Sequence, residues 1–131
     1  MLSKVELVFK YTRSCQFVKV LAVPTFRTCQ LTAPHLFGAS GHAAFQRIGR
    51  SVGDMLLGGD CHNYGLLATG CLDLVMEEGL KIYDWAALVP VVTGAGGIIT
   101  DWRGSPLGLK SEGRVLAAGD RAVHQQALER I

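Results

Sequence analysis

From Gly58 to Asp101 the chain reads GGDCHNYGLLATGCLDLVMEEGLKIYDWAALVPVVTGAGGIITD. Two segment types alternate within it. Asp60 and Cys61 open a helix running to about Gly70. Leu72 to Glu77 (LDLVME), bounded by Gly70 and Gly79, has the apolar density of a buried strand. Asp84 to Ala95 reads as a second helix, kinked or divided at Pro90, and Gly97 to Trp102 as another strand. This alternation predicts a layered α/β sheet flanked by helices, with at least partly parallel pairing. At the centre, Glu77-Glu78-Gly79-Leu80-Lys81-Ile82-Tyr83-Asp84 joins a strand end to a helix mouth. A carboxylate there is stabilised by free backbone N–H groups and faces the edge where open α/β sheets bind ligands. The same spacing also fits Asp84 as a plain helix cap, with Glu77 and Glu78 solvated.

Working outward, Pro34 holds Ala33 extended and ends a strand begun near Leu31. Ser40 is placed to cap a helix over roughly 41–53 that buries Ala44, Phe45 and Ile48. Met55 to Leu57 reads as a short strand entering Gly58-Gly59, where glycines would let the backbone approach an anion at the next helix start. An ordinary strand-to-helix turn has the same sequence. Beyond the central stretch, Arg103 to Pro106 is a turn and Arg114 to Ala118 the last strand. Gly119-Asp120 caps a helix over 122–131, amphipathic through Val123, Ala127 and Leu128. Asp101 reads first as a turn former, Glu78 as exposed, and His35 and His42 as partnerless surface residues. Lys81 is a possible structural partner for the neighbouring acids. Gly94-x-Gly96-Gly97 follows a helix and precedes a strand, the reverse of the dinucleotide-binding order, so it serves as a helix stop.

The 131 residues, 49% hydrophobic and 18% charged, suffice for one compact core. A net charge of +2 without a basic block gives no footprint for nucleic acid. No apolar run approaches the roughly 18 residues of a membrane span. Cys15, Cys29, Cys61 and Cys71 have neither C-x-x-C spacing nor a histidine at zinc-finger distance, which favours a reducing compartment and predicts a cytoplasmic protein.

The run Tyr83-Asp84-Trp85-Ala86-Ala87-Leu88, then Ala95-Gly96-Gly97 and a strand ending in Asp101, resembles the C-terminal signature of the inositol monophosphatase superfamily. Gly59-Asp60-Cys61 with Tyr64, Asp73-Leu74-Val75, Leu80-Lys81, Tyr83-Asp84 and Ala87-Leu88-Val89-Pro90 are similar to its histidinol-phosphatase subgroup, an activity of histidine biosynthesis. The likeness spans Leu31 to Ile131. It implies the C-terminal α/β domain of that fold and hydrolysis of a small phosphomonoester with Mg²⁺. Asp84 matches the aspartate that binds the metal, and Glu77 the acid that contacts the substrate's hydroxyl or amine side. Gly59, Asp60 and Cys61 match a substrate-binding segment whose usual form is G-S/T-A. An acid at that segment suits a cationic group better than a phosphate, which fits an amino-alcohol phosphate. The family often forms homo-oligomers.

Met1 to Gln30 carry five basic residues against one acid and match none of these motifs. A divergent or out-of-frame leader is the favoured reading, over a basic targeting peptide or one or two edge strands. The resemblance also implies an N-terminal domain bearing a glutamate pair and a D-P-x-D-G-T motif, and neither occurs within Met1 to Leu57. One carboxylate cannot hold two Mg²⁺ ions. The chain alone is therefore expected to be inactive or very weak, a C-terminal half truncated by gene decay, a frameshift or a misplaced start. Three rivals stay open: an inositol or nucleotide phosphatase of the same superfamily, a non-catalytic binding or assembly module, and a relic exposing the apolar face its partner domain would cover.

Overall fold

The structure is a computed structural model that describes residues 38–131 and the backbone of 30–33. It contains β1 (Gln30–Ala33), α1 (Ala39–Gly49), β2 (Asp54–Leu57), α2 (Asp60–Ala68), β3 (Leu74–Glu77), α3 (Ile82–Trp85), α4 (Leu88–Gly94), β4 (Ile98–Thr100), β5 (Val115–Ala118) and α5 (Arg121–Leu128). The strands form one sheet in the order β2-β1-β3-β5-β4. β1 pairs parallel with β2 and β3, while β5 runs antiparallel to β3 and β4. The expected partly parallel α/β layering is thus present, and β1 to β4 end on a common carboxyl edge.

Side-chain alternation divides the core into two layers. Leu74 and Met76 of β3, with Leu116 and Ala118 of β5, meet Phe45 and Ile48 of α1 and Val123 and Ala127 of α5. The intervening residues Val75, Val115 and Ala117 meet Tyr64 and Leu67 of α2, Trp85 of α3 and Val92 of α4. The two-residue period of the strands therefore builds a helix–sheet–helix sandwich. It also turns Glu77, two residues after Val75, toward the α2 layer.

Several local expectations need correction. Ser40 lies inside α1, whose cap is Gly38 without a side-chain bond. The helix expected over Asp84 to Ala95 is divided at Ala86–Ala87 rather than at Pro90. Pro90 falls in the first turn of α4, where its missing N–H has no helical partner to lose. Asp120 does cap α5, accepting from the backbone N–H groups of Ala122 at 2.8 Å and Val123 at 3.2 Å. Gly96, at φ +90°, ends α4 as the glycine stop predicts.

Candidate functional site

Four of the five candidate residues lie in the turn from β2 to α2 or at the end of β3, and the fifth lies in α3, just beyond. Gly58, Gly59 and Asp60 all have positive φ, at 99°, 105° and 42°. The turn is held by Asn63, whose Nδ2 donates to the Gly58 carbonyl at 2.8 Å, and a Cβ on Gly59 would collide with the same Asn63 side chain. Glycine at 59 is thus required twice, by conformation and by space. Asp60 and Cys61 are exposed in the first turn of α2.

Glu77 is the last residue of β3 and only 4% exposed. Its Oε2 accepts the phenol proton of Tyr64, which is fully buried one helical turn beyond Asp60. Burial, then the Glu77 charge and that hydrogen bond, push the Tyr64 phenol well above its ordinary value. Tyr64 therefore keeps its proton at neutral pH and remains a donor. Tyr64 and Glu77 meet on the α2 layer of the sandwich at the carboxyl end of β3, and Asp60 lies exposed at the start of the same helix.

Asp84 is the third residue of α3 and is exposed. Its Oδ2 accepts from the Lys81 backbone N–H at 2.7 Å, the reach-back half of a capping box. The capping reading and the ligand reading are compatible, because a carboxylate anchored by one oxygen presents the other in a fixed direction. Buried Trp85 pins the short helix beneath it. Lys81 meets Asp84 through its backbone; the Glu78 carboxylate instead pairs with Arg114. Glu78 is accordingly partly buried, contrary to the solvated position expected of it.

Among the described residues no group of three or more His, Cys, Asp or Glu side chains could hold a metal ion. Asp84 suits one oxygen ligand of a hard cation, but Mg²⁺ requires six near-octahedral oxygens, so these residues do not make a Mg²⁺ site by themselves. Cys61 and Cys71 are free thiols. His42 is exposed, with its ring 2.9 Å from Gln46, whereas His35 lies outside the described residues. Asp101 is the turn former expected, accepting from the N–H groups of Arg103 at 2.9 Å and Ser105 at 2.8 Å.

Tyr64, Asn63 and His124 carry polar roles that the sequence motifs did not assign. For Tyr64 a signal existed: Asp60, Tyr64, Leu67 and Ala68 form an i, i+4, i+7, i+8 stripe, which puts the phenol beneath the helix against the sheet. Asn63 and His124 had no comparable signal, since their partners are a backbone carbonyl and a threonine on another element.

Residues 14–131 match the profile of the inositol monophosphatase family, so the match also takes in much of the segment before Leu31. The chain is 45% identical over 127 residues to the bifunctional phosphatase IMPL2 of the Arabidopsis thaliana chloroplast, covering 92% of this chain and 35% of that protein. A histidinol-phosphatase of Chlorobaculum parvum is 36% identical over 59 residues, 45% of this chain and 23% of its own length. An inositol monophosphatase structure from Zymomonas mobilis superposes with a TM-score of 0.84 at 46% identity, over 86% of this chain and 46% of that one. The chain thus spans less than half the length of these relatives. A profile matched over most of its residues, and a shared fold at close to half identity, make this chain a member of the inositol monophosphatase family.

Proposed function

We propose that this chain is the substrate-recognising part of a Mg²⁺-dependent phosphomonoester hydrolase acting on histidinol phosphate, in histidine biosynthesis. The feature that carries the choice of substrate is Asp60, in the turn from β2 to α2 where the family resemblance places a G-S/T-A substrate-binding segment, together with Glu77 at the carboxyl end of β3. Two acids favour a substrate whose alcohol side is cationic. In this reading Gly59, Asp60, Cys61 and Glu77 receive the amino-alcohol, and Asp84 supplies one oxygen to Mg²⁺, which neutralises the phosphate and activates water when bound. The remaining ligands belong to the glutamate pair and D-P-x-D-G-T motif that the resemblance implies and that Met1 to Leu57 lack, so the 131-residue chain alone is inactive or very weak. The partner is a small cytoplasmic phosphate ester, with no role for nucleic acid or membrane. Among the described residues no helix is long and apolar enough to cross a membrane.

Inositol 1-phosphate is the alternative substrate, supported by the likeness to the Zymomonas inositol monophosphatase. Phosphate release from both esters, measured on the protein isolated from its native source with and without Mg²⁺, decides between them. Faster Mg²⁺-dependent release from histidinol phosphate is expected. Faster release from inositol phosphate would move the assignment to the alternative.

A further inference from the structure

We propose that Asn63 is a positioning residue of the substrate site: its buried amide selects the left-handed turn at Gly58 and Gly59 and so fixes the backbone from which Asp60 meets the substrate. This rests on the reading of Asp60 as a substrate contact.

The turn has no intrinsic reason to hold one shape. Gly58 and Gly59 stand at φ +99° and +105°, but glycine populates positive and negative φ about equally. Two glycines before a helix therefore leave its entry open to several conformations. Asp60 follows at φ +42°, a region that a residue with a side chain takes only at some cost. Such a conformation persists where its surroundings determine it.

Asn63 acts on both glycines. Its Nδ2 donates to the Gly58 carbonyl at 2.8 Å, which sets the orientation of the peptide between Gly58 and Gly59. Its Oδ1 fills the space that a Cβ on Gly59 would take, so the amide lies directly against that residue. The Gly59 carbonyl in turn accepts from the His62 N–H at 3.0 Å, which ties the turn to the start of α2. Asparagine is a poor residue for a helix interior, because its amide competes with the helix for backbone partners. Here the side chain is 4% exposed and bonds backward to the turn that precedes the helix.

The consequence falls on the next residue. Asp60 is exposed in the first turn of α2, directly after the two glycines that Asn63 holds. With the turn fixed, a ligand meets Asp60 without the entropy cost of ordering the loop. Without the Asn63 amide both glycines regain their alternatives, and each binding event has to order them.

The test is a double-substitution cycle, read by calorimetric binding of L-histidinol to the 131-residue chain, with Asn63→Ala, Asp60→Asn and the two together. Circular dichroism and thermal melts establish that each variant is folded. Asp60→Asn removes the charge and tolerates the same positive φ. Asn63→Ala is expected to lower histidinol affinity about fivefold to tenfold where Asp60 is present, and to have no further effect beside Asp60→Asn. A loss of the same factor in both backgrounds, or no loss in either, would mean that Asn63 serves the fold alone and overturns the proposal. If Asp60→Asn by itself leaves the affinity unchanged, the reading of Asp60 as a substrate contact fails, whatever Asn63→Ala does. Absence of histidinol binding by the unsubstituted chain overturns both. Should Asn63→Ala not fold, Gly58→Ala tests the same turn. Its methyl would meet no atom within 4 Å, so it acts through the backbone preference at φ +99° alone. It is expected to weaken histidinol binding and to lose that effect beside Asp60→Asn. Unchanged affinity, or a loss that persists beside Asp60→Asn, overturns the proposal.

Discussion

Arg114 Nε donates to Glu78 Oε1 at 3.0 Å, and Oε2 of the same carboxylate accepts from the backbone N–H of Gly38 at 3.2 Å. The guanidinium lies over the Trp102 ring, 5.3 Å from its centroid. One acid therefore ties the end of β3 to the start of β5 and to the first turn of α1. With only 18% of its side chain exposed, Glu78 is better shielded from solvent than an ordinary surface ion pair. Glu78→Ala is expected to cost about 1–2 kcal/mol in urea unfolding, and Glu78→Gln, which retains an oxygen for Gly38, less. An unchanged midpoint for Glu78→Ala would show that the pair contributes nothing.

Gly113 sits at φ +78° with its missing Cβ aimed at the Leu80 carbonyl oxygen, and its own carbonyl accepts from Leu80 N–H at 3.0 Å. This close approach brings the loop before β5 against the loop that leads to Asp84. Gly113→Ala is expected to destabilise the fold by about 2–4 kcal/mol, the sum of left-handed strain and a backbone clash. Gly104→Ala is the matched comparison: φ is again +78°, but the new methyl meets only a terminal carbon of Leu128 at 3.1 Å. Equal melting-temperature losses for the two would show that the Leu80 contact is unimportant.

The segment order was legible because β2 to β5 are short apolar runs closed by glycine or an acid, and α1, α2 and α5 start at Gly or Asp caps. Glu77 and Asp84 were legible as edge residues, since a strand's carboxyl end and a helix's first turn are both local features. The division of the helix at Ala86–Ala87 was not. Proline is the usual breaker, but here it sits where a helix tolerates it, and the break lies between two alanines that favour helix. Glu78 was misread because its partner, Arg114, is 36 residues distant. The Tyr64–Glu77 bond links two elements and needs the sheet register to be visible.

Asp84 caps α3, the proposed function adds the role of a metal ligand, and two substitutions separate the two. Asp84→Asn keeps an oxygen for the Lys81 N–H, whereas Asp84→Ala removes it. Loss of the reach-back bond is expected to lower stability by about 0.5–1 kcal/mol in the alanine variant alone. Mg²⁺-dependent phosphate release by the active enzyme is expected to fall in both, because a neutral amide is a poor ligand for a hard cation. Full activity in Asp84→Asn would remove Asp84 from the metal site, while a stability loss shared by both variants would show that the charge itself holds α3.

His124 makes the fold sensitive to acid from the opposite layer. Its Nε2 lies 2.8 Å from Thr100 Oγ1, and both residues are buried between α5 and β4. Burial first, then the positive charge of Arg121, lower its pKa, and a hydrogen bond to the Leu116 backbone opposes them without reversing the shift. The unfolded chain, with an ordinary histidine near pH 6.5, therefore takes up a proton at a pH where the folded chain does not. In that window protonation favours unfolding, so this contribution is complete above about pH 6.5 and is lost as the pH falls from there toward the lowered folded value. Denaturant midpoints measured from pH 8 to pH 5 are expected to be level at the alkaline end and to decline below 6.5. His124→Gln should flatten the decline, because its amide still reaches Thr100 but does not titrate. A decline of the same slope in His124→Gln would assign the acid sensitivity to another group.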